Sequence, residues 1–371
     1  MSSDRTGVIG VDVGGTNIRA GVVEIVSGRL GVHVVASKKI PAPRVLPPAF
    51  YDTIAHLIRD VKQQAERAGF LILPVVAIAQ PGRFLPPHGT LARGTAPNLG
   101  TAPDQFDGLA PAKELERRLF LKVIAENDAV AQMRFGLDAL LCDPTTRGPL
   151  LGEIVVYLGP GTGMGGGVAR VSEAGDVEVL TDGHLFDLQV SAWADGTLTA
   201  EELFTGPAIA QRVAEANKQL TPPIHPARAG QLDVIMLHKD SPAPHRVIAS
   251  QIADLIGDIL AAIIATMHAG RIMKVRLETT ADGRVLRHLN EPDRAWSAQD
   301  QALVRGTKRF ILGGFVGCSR GLGTRVRDRA LEVLRQRGFH DMQIMPIPVD
   351  SDDTGLLGVV RAIPLSELHQ E

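Results

Sequence analysis

Two glycine-rich segments carry the residues best suited to hold phosphate groups. In the first, residues 12–17, Asp12 precedes Gly14 and Gly15, and Thr16 and Asn17 follow. Glycines let backbone N–H groups approach an anion closely, and a threonine adds a hydroxyl donor. An aspartate at a strand end can hold the water shell of Mg²⁺, which prefers oxygen ligands. Taken alone, the same residues would more often form a hairpin turn with a capping aspartate.

The second segment, residues 159–167, has six glycines in nine positions around Thr162. So much glycine is entropically costly and indicates a backbone wrapped around a ligand. Phosphate oxygens would suit N–H donors near Gly161 and Gly163, and Thr162 would contact the transferred group. A flexible loop is the alternative interpretation.

Asp128 is the candidate general base. It follows a predicted strand and begins a predicted helix, where its carboxylate could accept the proton of an attacking hydroxyl. The alternative is a helix N-cap, which an Asn-Asp pair before a helix favours. The amides of Asn127 and Asn98 both donate and accept hydrogen bonds, which suits a polyol.

The elements that must position these groups form two similar strand–glycine–strand units, each followed by α/β structure. This opening differs from a Rossmann unit, in which a helix follows the glycines. The strands are predicted at residues 7–13, 18–24, 31–37, 71–79, 122–125, 152–158, 168–171, 309–312 and 342–346. The helices are predicted at residues 51–68, 112–119, 128–141, 200–219, 247–267, 325–336 and 354–363, and a long loop at 86–111.

Length and composition indicate a two-lobed protein that acts on a small molecule. A chain of 371 residues exceeds what one core usually serves, and a net charge of −2 favours neither nucleic acid nor an anionic membrane as a partner. The two cysteines lie far apart, which argues against a disulfide framework and a cysteine-based zinc site. No signal peptide is visible, and the apolar run at 256–267 is shorter than the ~20 residues of a membrane span. We therefore expect a cytoplasmic protein.

Taken in order, these motifs resemble those of the ROK family of bacterial sugar kinases and repressors, within the sugar kinase–actin superfamily. The resemblance runs from about Val8 to Ala362. The matching stretches are DVGGTNIR at 12–19, QPG at 80–82, PNL at 97–99, END at 126–128, GTGMGGG at 161–167 and LGG at 312–314.

The resemblance implies a two-lobed α/β fold of the actin-like ATPase, ribonuclease H-like kind, with duplicated mixed sheets and flanking helices. The lobes would cover residues 1–122 and 123–371, with the last helix packing back on the first lobe. ATP and Mg²⁺ would be the cofactors, with Asp128 catalytic and Asp12 placing the metal. The expected substrate contacts are Asn98, Asn127, Asp182, His184 and Glu201. The expected ATP and phosphate contacts are Asp12, Gly14, Gly15, Thr16, Asn17, Gly161, Thr162, Gly163, Gly313 and Gly314.

The chain departs from the family pattern around Gly183. The family reads its sugar with a Glu-x-Gly-His stretch, and here Thr181 holds the glutamate position with Asp182 beside it. Glu201 lies where the family places a glutamate four residues before Ser-Gly. The family's three zinc-binding cysteines are absent, so we expect no zinc site. The segment before Val8 is too short for the winged helix-turn-helix of ROK repressors, so we do not expect a repressor.

The resulting prediction is ATP-dependent phosphorylation of a hydroxyl on a small sugar or polyol. A hexose, an amino sugar or a cyclitol would qualify, and whether the chain forms a homodimer is left open. One alternative is a non-catalytic protein that senses sugar or nucleotide. Another is an ATPase that drives a conformational change in a partner.

Overall fold

A computed structural model defines most of the chain as two compact units. The first unit comprises Met1–Asp138 and Ser351–Glu371, and the second comprises Ala139–Asp350. The structure describes residues 5–26, 29–85, 87–96, 98–102, 104–181, 188–194, 196–270, 275–279, 285–289, 298–348 and 353–368.

The first unit is built on a five-stranded mixed sheet. The strands of this sheet are β1 (Arg5–Val13), β2 (Asn17–Val26), β3 (Arg29–Pro41), β4 (Phe70–Gln80) and β7 (Lys122–Asn127). A separate short hairpin is formed by β5 (Phe84–Leu85) and β6 (Thr90–Leu91). The helices of this unit are α1 (Pro47–Arg67), α2 (Pro111–Leu119) and α3 (Asp128–Cys142), which runs past the unit boundary.

The order of this sheet is β3-β2-β1-β4-β7. β1 pairs antiparallel with β2 and parallel with β4, and β4 pairs parallel with β7. α1 buries an apolar face at i, i+3 and i+4 spacing, from Tyr51 to Val61, in the core beside the sheet. Because β1, β4 and β7 are parallel, their carboxyl ends lie at one edge of the sheet.

The second unit repeats this plan. Its strands are β8 (Ile154–Pro160), β9 (Met164–Val171), β10 (Val177–Val179), the separate hairpin β11 (Val275–Thr279) and β12 (Val285–Leu289), β13 (Arg309–Leu312) and β14 (Gln343–Pro346). Its helices are α4 (Pro144–Arg147), α5 (Ala200–Leu203), α6 (Gly206–Asn217), α7 (Ala229–Leu237), α8 (Ala243–His268), α9 (Ala298–Val304), α10 (Gly314–Cys318) and α11 (Leu322–Gln336).

The order of the second sheet is β10-β9-β8-β13-β14, with antiparallel pairs among β8, β9 and β10 and parallel pairs among β8, β13 and β14. In each unit the strands are therefore arranged third-second-first-fourth-fifth in chain order. The predicted duplication of architecture is present as an identical topology of the two sheets.

Helix α8 is the longest element of the second unit. Within the described residues it is the one helix whose length and composition would suit a membrane span. Most of it is nevertheless buried in the core, and Arg325 and Arg329 of α11 form ion pairs with its Asp254 and Asp258. Packing inside this unit therefore accounts for its apolar composition.

Several predicted boundaries differ from the observed ones. The first unit extends to Asp138 rather than residue 122, because β7 pairs with β4 in the first sheet and α3 follows β7 without a break. The chain then returns to this unit through α12 (Thr354–Val359), a 3₁₀ turn and α13 (Leu365–Leu368), so that α12 packs on β1. The single helix predicted over 200–219 is two helices, because Thr205 is the N-cap of a second helix that begins at Gly206, and its hydroxyl accepts the N–H of Ala208.

Candidate active site

The carboxyl ends of β1, β4 and β7 bring three predicted motifs of the first unit to one level. Asp12 of β1 is in register with Ala79 of β4, and Ala79 with Glu126 of β7. The Gln80-Pro81-Gly82 turn follows β4, and Asp128 follows β7. In parallel α/β sheets, ligands bind outside these carboxyl ends. This edge is therefore the candidate site of the first unit.

Asn127, not Asp128, is the N-cap of α3. Its amide oxygen accepts hydrogen bonds from the backbone N–H groups of Ala129 (2.9 Å) and Val130 (3.2 Å). Its amide nitrogen donates to the carbonyl of Gly82 at 3.0 Å, and the side chain is buried. Because most of its hydrogen-bonding capacity serves the fold, Asn127 joins the end of β7 to the turn after β4. Its predicted contact with substrate stays a prediction.

Asp128 is consequently released from the capping role. It occupies the first turn of α3, and its Oδ1 accepts the N–H of Ala129 at 3.0 Å. Burial raises the pKa of Asp128 to about 6, against the lowering effect of its backbone hydrogen bonds. A carboxylate with a pKa near the working pH is suited to general base catalysis.

Asp12 is the second carboxylate of this site. Burial and the nearby charge of Asp128 raise the pKa of Asp12 to about 7, while Arg19 and Lys39 lower it. Arg19 lies opposite Asp12 on β2 and forms an ion pair with Asp353 at 2.7 Å. Part of the positive charge of Arg19 is thus already balanced by Asp353.

The residues present fit a magnesium ion rather than a metal held by protein ligands alone. Mg²⁺ in kinases commonly takes one or two carboxylates, waters and phosphate oxygens. A part-buried Asp12 that is repelled by Asp128 provides one such carboxylate. The described residues contain no group of three or more His, Cys, Asp or Glu side chains that could hold a metal. The predicted absence of zinc stays a prediction.

Gly355, at the start of α12, lies directly against the carboxylate of Asp12. A Cβ added to Gly355 would lie 2.5 Å from Oδ2 and 2.8 Å from Oδ1 of Asp12. These distances are far below van der Waals contact, so only glycine leaves the carboxylate in its place. Sequence reasoning missed Gly355. In the sequence, Gly355 is an ordinary glycine in the predicted last helix, two residues after Asp353, and nothing there indicates that it lies near β1.

The first glycine loop, residues 12–17, is a tight turn between β1 and β2. Gly14 donates its N–H to the carbonyl of Asn17 at 2.8 Å, and Thr16 is exposed at the tip. Neither Gly14 nor Gly15 has a positive φ. The requirement is for space instead, since a Cβ on Gly15 would lie 3.1 Å from Cβ of Asn98. Asn98 itself is exposed beside this loop.

The second glycine loop, residues 159–167, joins β8 to β9 in the second unit. Gly161 donates its N–H to the carbonyl of Gly163 at 2.9 Å and accepts that of Gly206 at 2.8 Å. Gly161 and Thr162 are exposed at the turn. Hydrogen bonds within the protein thus fix the backbone of Gly161, while the side chain of Thr162 is exposed at the turn.

Glu201 lies against this second loop. Its Oε2 accepts the N–H of Met164 at 3.1 Å, and a Cβ on Gly163 would be 3.0 Å from the same oxygen. The structure therefore brings Glu201 to a predicted phosphate-binding loop, and its predicted sugar contact stays a prediction.

Two predicted substrate residues, Asp182 and His184, lie outside the described residues. Thr181 is described, and its hydroxyl accepts the N–H of Val168 at 3.0 Å. Thr181 therefore ties the chain to β9.

Gly313 and Gly314 lie beside the base of the second loop. Gly313 donates its N–H to the carbonyl of Leu158, and a Cβ on Gly314 would lie 2.1 Å from the carbonyl oxygen of Pro160. The ring of the buried Tyr157 fills the space next to Gly159 and Gly313. The predicted adenosine and phosphate motifs of this unit are thus in direct contact. Sequence reasoning did not single out Tyr157, whose position in a β-branched run indicates only a strand.

No protein-family model matches the chain. The N-acetyl-D-glucosamine kinase of Escherichia coli is 31% identical over 159 residues, 43% of this chain and 45% of that enzyme. The match thus spans less than half the length of this relative.

Solved structures resemble nearly the whole chain. A ROK family glucokinase from Streptomyces griseus, in complex with glucose and AMPPNP, has a TM-score of 0.59 at 18% identity, covering 96% of this chain and 98% of that one. A ROK family transcriptional regulator, homologous to the E. coli MLC protein, has a TM-score of 0.62 at 14% identity, covering 98% and 78%. The predicted fold class, and the resemblance to the ROK family at the level of the fold, are confirmed.

Proposed function

We propose that this chain, which has the fold of the ROK family sugar kinases, transfers a phosphoryl group from ATP to a hydroxyl of a small sugar or polyol. The observation that carries the proposal is the position of the Asp128 carboxylate together with its raised pKa. This carboxylate stands at the carboxyl edge of the sheet, is free of the capping role and has a pKa raised to about 6. These are the properties of a positioned base near neutral pH.

In this proposal Asp128 accepts the proton of the substrate hydroxyl. The hydroxyl oxygen forms a bond to the γ-phosphorus, the bond from that phosphorus to the bridging oxygen breaks, and ADP leaves. Asn127 does not react but fixes α3 at its first turn and so aims Asp128. Little covalent chemistry is asked of the protein, because phosphoryl transfer depends mainly on positioning and charge stabilisation.

The two glycine loops would hold the phosphates. Gly15 and Thr16 of the first loop, and Thr162 of the second, offer N–H and hydroxyl donors near exposed turns. The N–H of Gly161 would have to leave the carbonyl of Gly163 before it could bind a phosphate oxygen. Asp12 would hold Mg²⁺ through its water shell, and the ion would neutralise phosphate charge. Gly313 and Gly314 would take the adenosine side of ATP.

For the acceptor, we propose a sugar read by Asn98, with His184, Asp182 and Glu201 as further candidate contacts. Asn98 is exposed beside Gly15, where it can reach a substrate. The relatives' acceptors support a hexose or an N-acetylated amino sugar, and a cyclitol is the less common option. A cytoplasmic location would suit an enzyme that consumes ATP.

A sensing protein is the second candidate, and one observation favours it. The ROK transcriptional regulator has a TM-score of 0.62, so the same fold also serves regulation. A sensor has no chemical need for a base with a raised pKa, which is why we place the kinase first.

ADP release measured against a panel of hexoses, amino sugars and cyclitols tests the proposal. Release that depends on one of these acceptors, with a phosphorylated product found by mass spectrometry, is the expected result. ADP release that is the same without any acceptor would instead indicate an ATPase. No release, with a melting temperature raised by sugar alone, would indicate a sensor and overturn the proposal.

A further inference from the structure

Arg44 connects the first glycine loop to the loop that carries Asn98. It lies between β3 and α1, and its exposed guanidinium donates to three backbone carbonyls. Nη1 donates to Asn98 at 2.7 Å and to Gly100 at 3.4 Å, and Nη2 donates to Gly15 at 3.3 Å. One planar group thus contacts both loops at once.

The two loops also touch directly. A Cβ on Gly15 would lie 3.1 Å from Cβ of Asn98 and 3.6 Å from its carbonyl oxygen. A shift of either loop would therefore displace the other loop. Among the described residues Arg44 has no carboxylate partner, so its three recorded hydrogen bonds all serve to join backbone segments.

We propose that Arg44 is a positioning residue that couples nucleotide binding to sugar binding. This inference rests on the proposed function, in which Gly15 contacts phosphate and Asn98 contacts sugar. A guanidinium holds its donors in a rigid fork, so a loop ordered by one ligand orders the other through Arg44. The second ligand then loses less conformational entropy when it binds. The coupling must be reciprocal, since each ligand raises the affinity of the other by the same factor.

The coupling can be measured without turnover. Calorimetry would give the Kd of Mg²⁺–AMPPNP with and without saturating sugar, the sugar being glucose or N-acetyl-D-glucosamine, whichever the parent phosphorylates faster. For the parent we expect a ratio of at least about fivefold, the lower end of typical coupling between sites. For Arg44→Met we expect a ratio below about twofold, because the side chain keeps its bulk but loses all three hydrogen bonds.

Arg93→Met is the matched control. Arg93 is an exposed arginine of the loop that leads to Asn98, and no side-chain hydrogen bond of Arg93 occurs among the described residues. This variant should keep the parent's ratio, which excludes a general effect of lost positive charge.

Three results would overturn the inference. These are a parent ratio near one, a ratio retained in Arg44→Met, and a ratio lost equally in Arg93→Met. Each of them leaves the parent's sugar-dependent ADP release intact, so the proposed function would stand. A parent that phosphorylates neither sugar nor any other acceptor would remove the proposed function, and the inference with it.

Discussion

Asn127 and Asp128 are adjacent polar residues with different tasks. Either could cap a helix by its residue type, and the sequence leaves this choice open. The structure resolves it, because Asn127 accepts both N–H groups at the start of α3 and donates to Gly82. Asp128 is thereby left with a carboxylate whose ionisation is tuned by burial.

The pH dependence of kcat/KM should show an acid limb set by the site carboxylates. Burial raises the pKa of Asp128 to about 6, and burial with the charge of Asp128 raises that of Asp12 to about 7. Both must be ionised to act, so kcat/KM should fall below neutrality and fall more steeply below about pH 6. Initial rates between about pH 5 and pH 8 would test this.

Protonation of these two carboxyls would not unfold the protein at acid pH, so unfolding through them cannot explain a fall in kcat/KM there. A carboxyl whose pKa is higher in the folded state binds its proton more tightly there, so its contribution to stability is full at low pH and is lost as pH rises through the folded pKa. Circular dichroism at each pH is the control. A flat kcat/KM down to pH 5 in folded protein would contradict the assignment of both groups.

Gly355→Ala should impair nucleotide use more than sugar binding. The added methyl group must displace the Asp12 carboxylate, whose oxygens lie 2.5 to 2.8 Å from the new atom. A misplacement of about 1 Å at a reacting centre can cost on the order of 100-fold, so we expect kcat/KM for Mg²⁺–ATP to fall about 10- to 100-fold. Steady-state kinetics would measure this.

Gly148→Ala provides the comparison for Gly355→Ala, since a Cβ there meets nothing within 4 Å. It should behave as the parent does. If Gly355→Ala keeps its kinetics while remaining folded, Gly355 does not position Asp12.

Among the secondary-structure elements, the strands β1 and β8 determine where the two glycine loops lie. β1 and β8 are the first strands of two identical sheet topologies, and each leads into a glycine turn and an antiparallel second strand. The second loop is further fixed by α5 and α6, through Glu201 and the N–H of Gly206. Its shape therefore depends on packing distant in sequence.

Gly163→Val should raise the KM for ATP at least about tenfold or abolish turnover, while sugar still raises the melting temperature. The reason is space, since a Cβ on Gly163 would lie 3.0 Å from Oε2 of Glu201 and no positive φ is involved. Displacing Glu201 would break the hydrogen bond that its Oε2 accepts from the N–H of Met164, and so change the shape of the loop. A tenfold change corresponds to about 1.4 kcal/mol. Unchanged ATP kinetics in the folded variant would count against this loop as a phosphate site.

The sequence predicted elements well where periodicity or glycine marked their ends. The strand Arg309–Leu312 was predicted with its exact bounds, and α11 and the β8–β9 turn within a few residues. The break between α5 and α6 was missed because Thr205 reads as an ordinary residue in an apolar helix. The small helices α7, α9 and α10 were not predicted from the sequence. Asp233 of α7 accepts two N–H groups at the start of α11, a contact between segments far apart in the chain that the sequence does not show.

At the scale of the whole molecule, the duplicated plan was predictable but the boundary between the units was not. Motif order and two strand–glycine–strand units indicate the duplication from sequence. The boundary depends on β7 joining the first sheet and on α12 returning to β1, and both are contacts between segments far apart in the chain. For the same reason Gly355 and Arg44 could not be recognised as neighbours of the site.

Turnover of Asp128→Asn shows whether Asp128 is the catalytic base. Asparagine keeps the size of the side chain, and Asn127 still caps α3, so the melting temperature and its increase with sugar should be retained. Asn127→Ala is the contrasting variant, which should lose about 1 kcal/mol of stability with its cap. Because a positioned base contributes roughly 10²–10⁴ in rate, kcat of Asp128→Asn should fall at least about 100-fold. A folded, sugar-binding Asp128→Asn protein that turns over within a few-fold of the parent would contradict the role of Asp128 as the catalytic base.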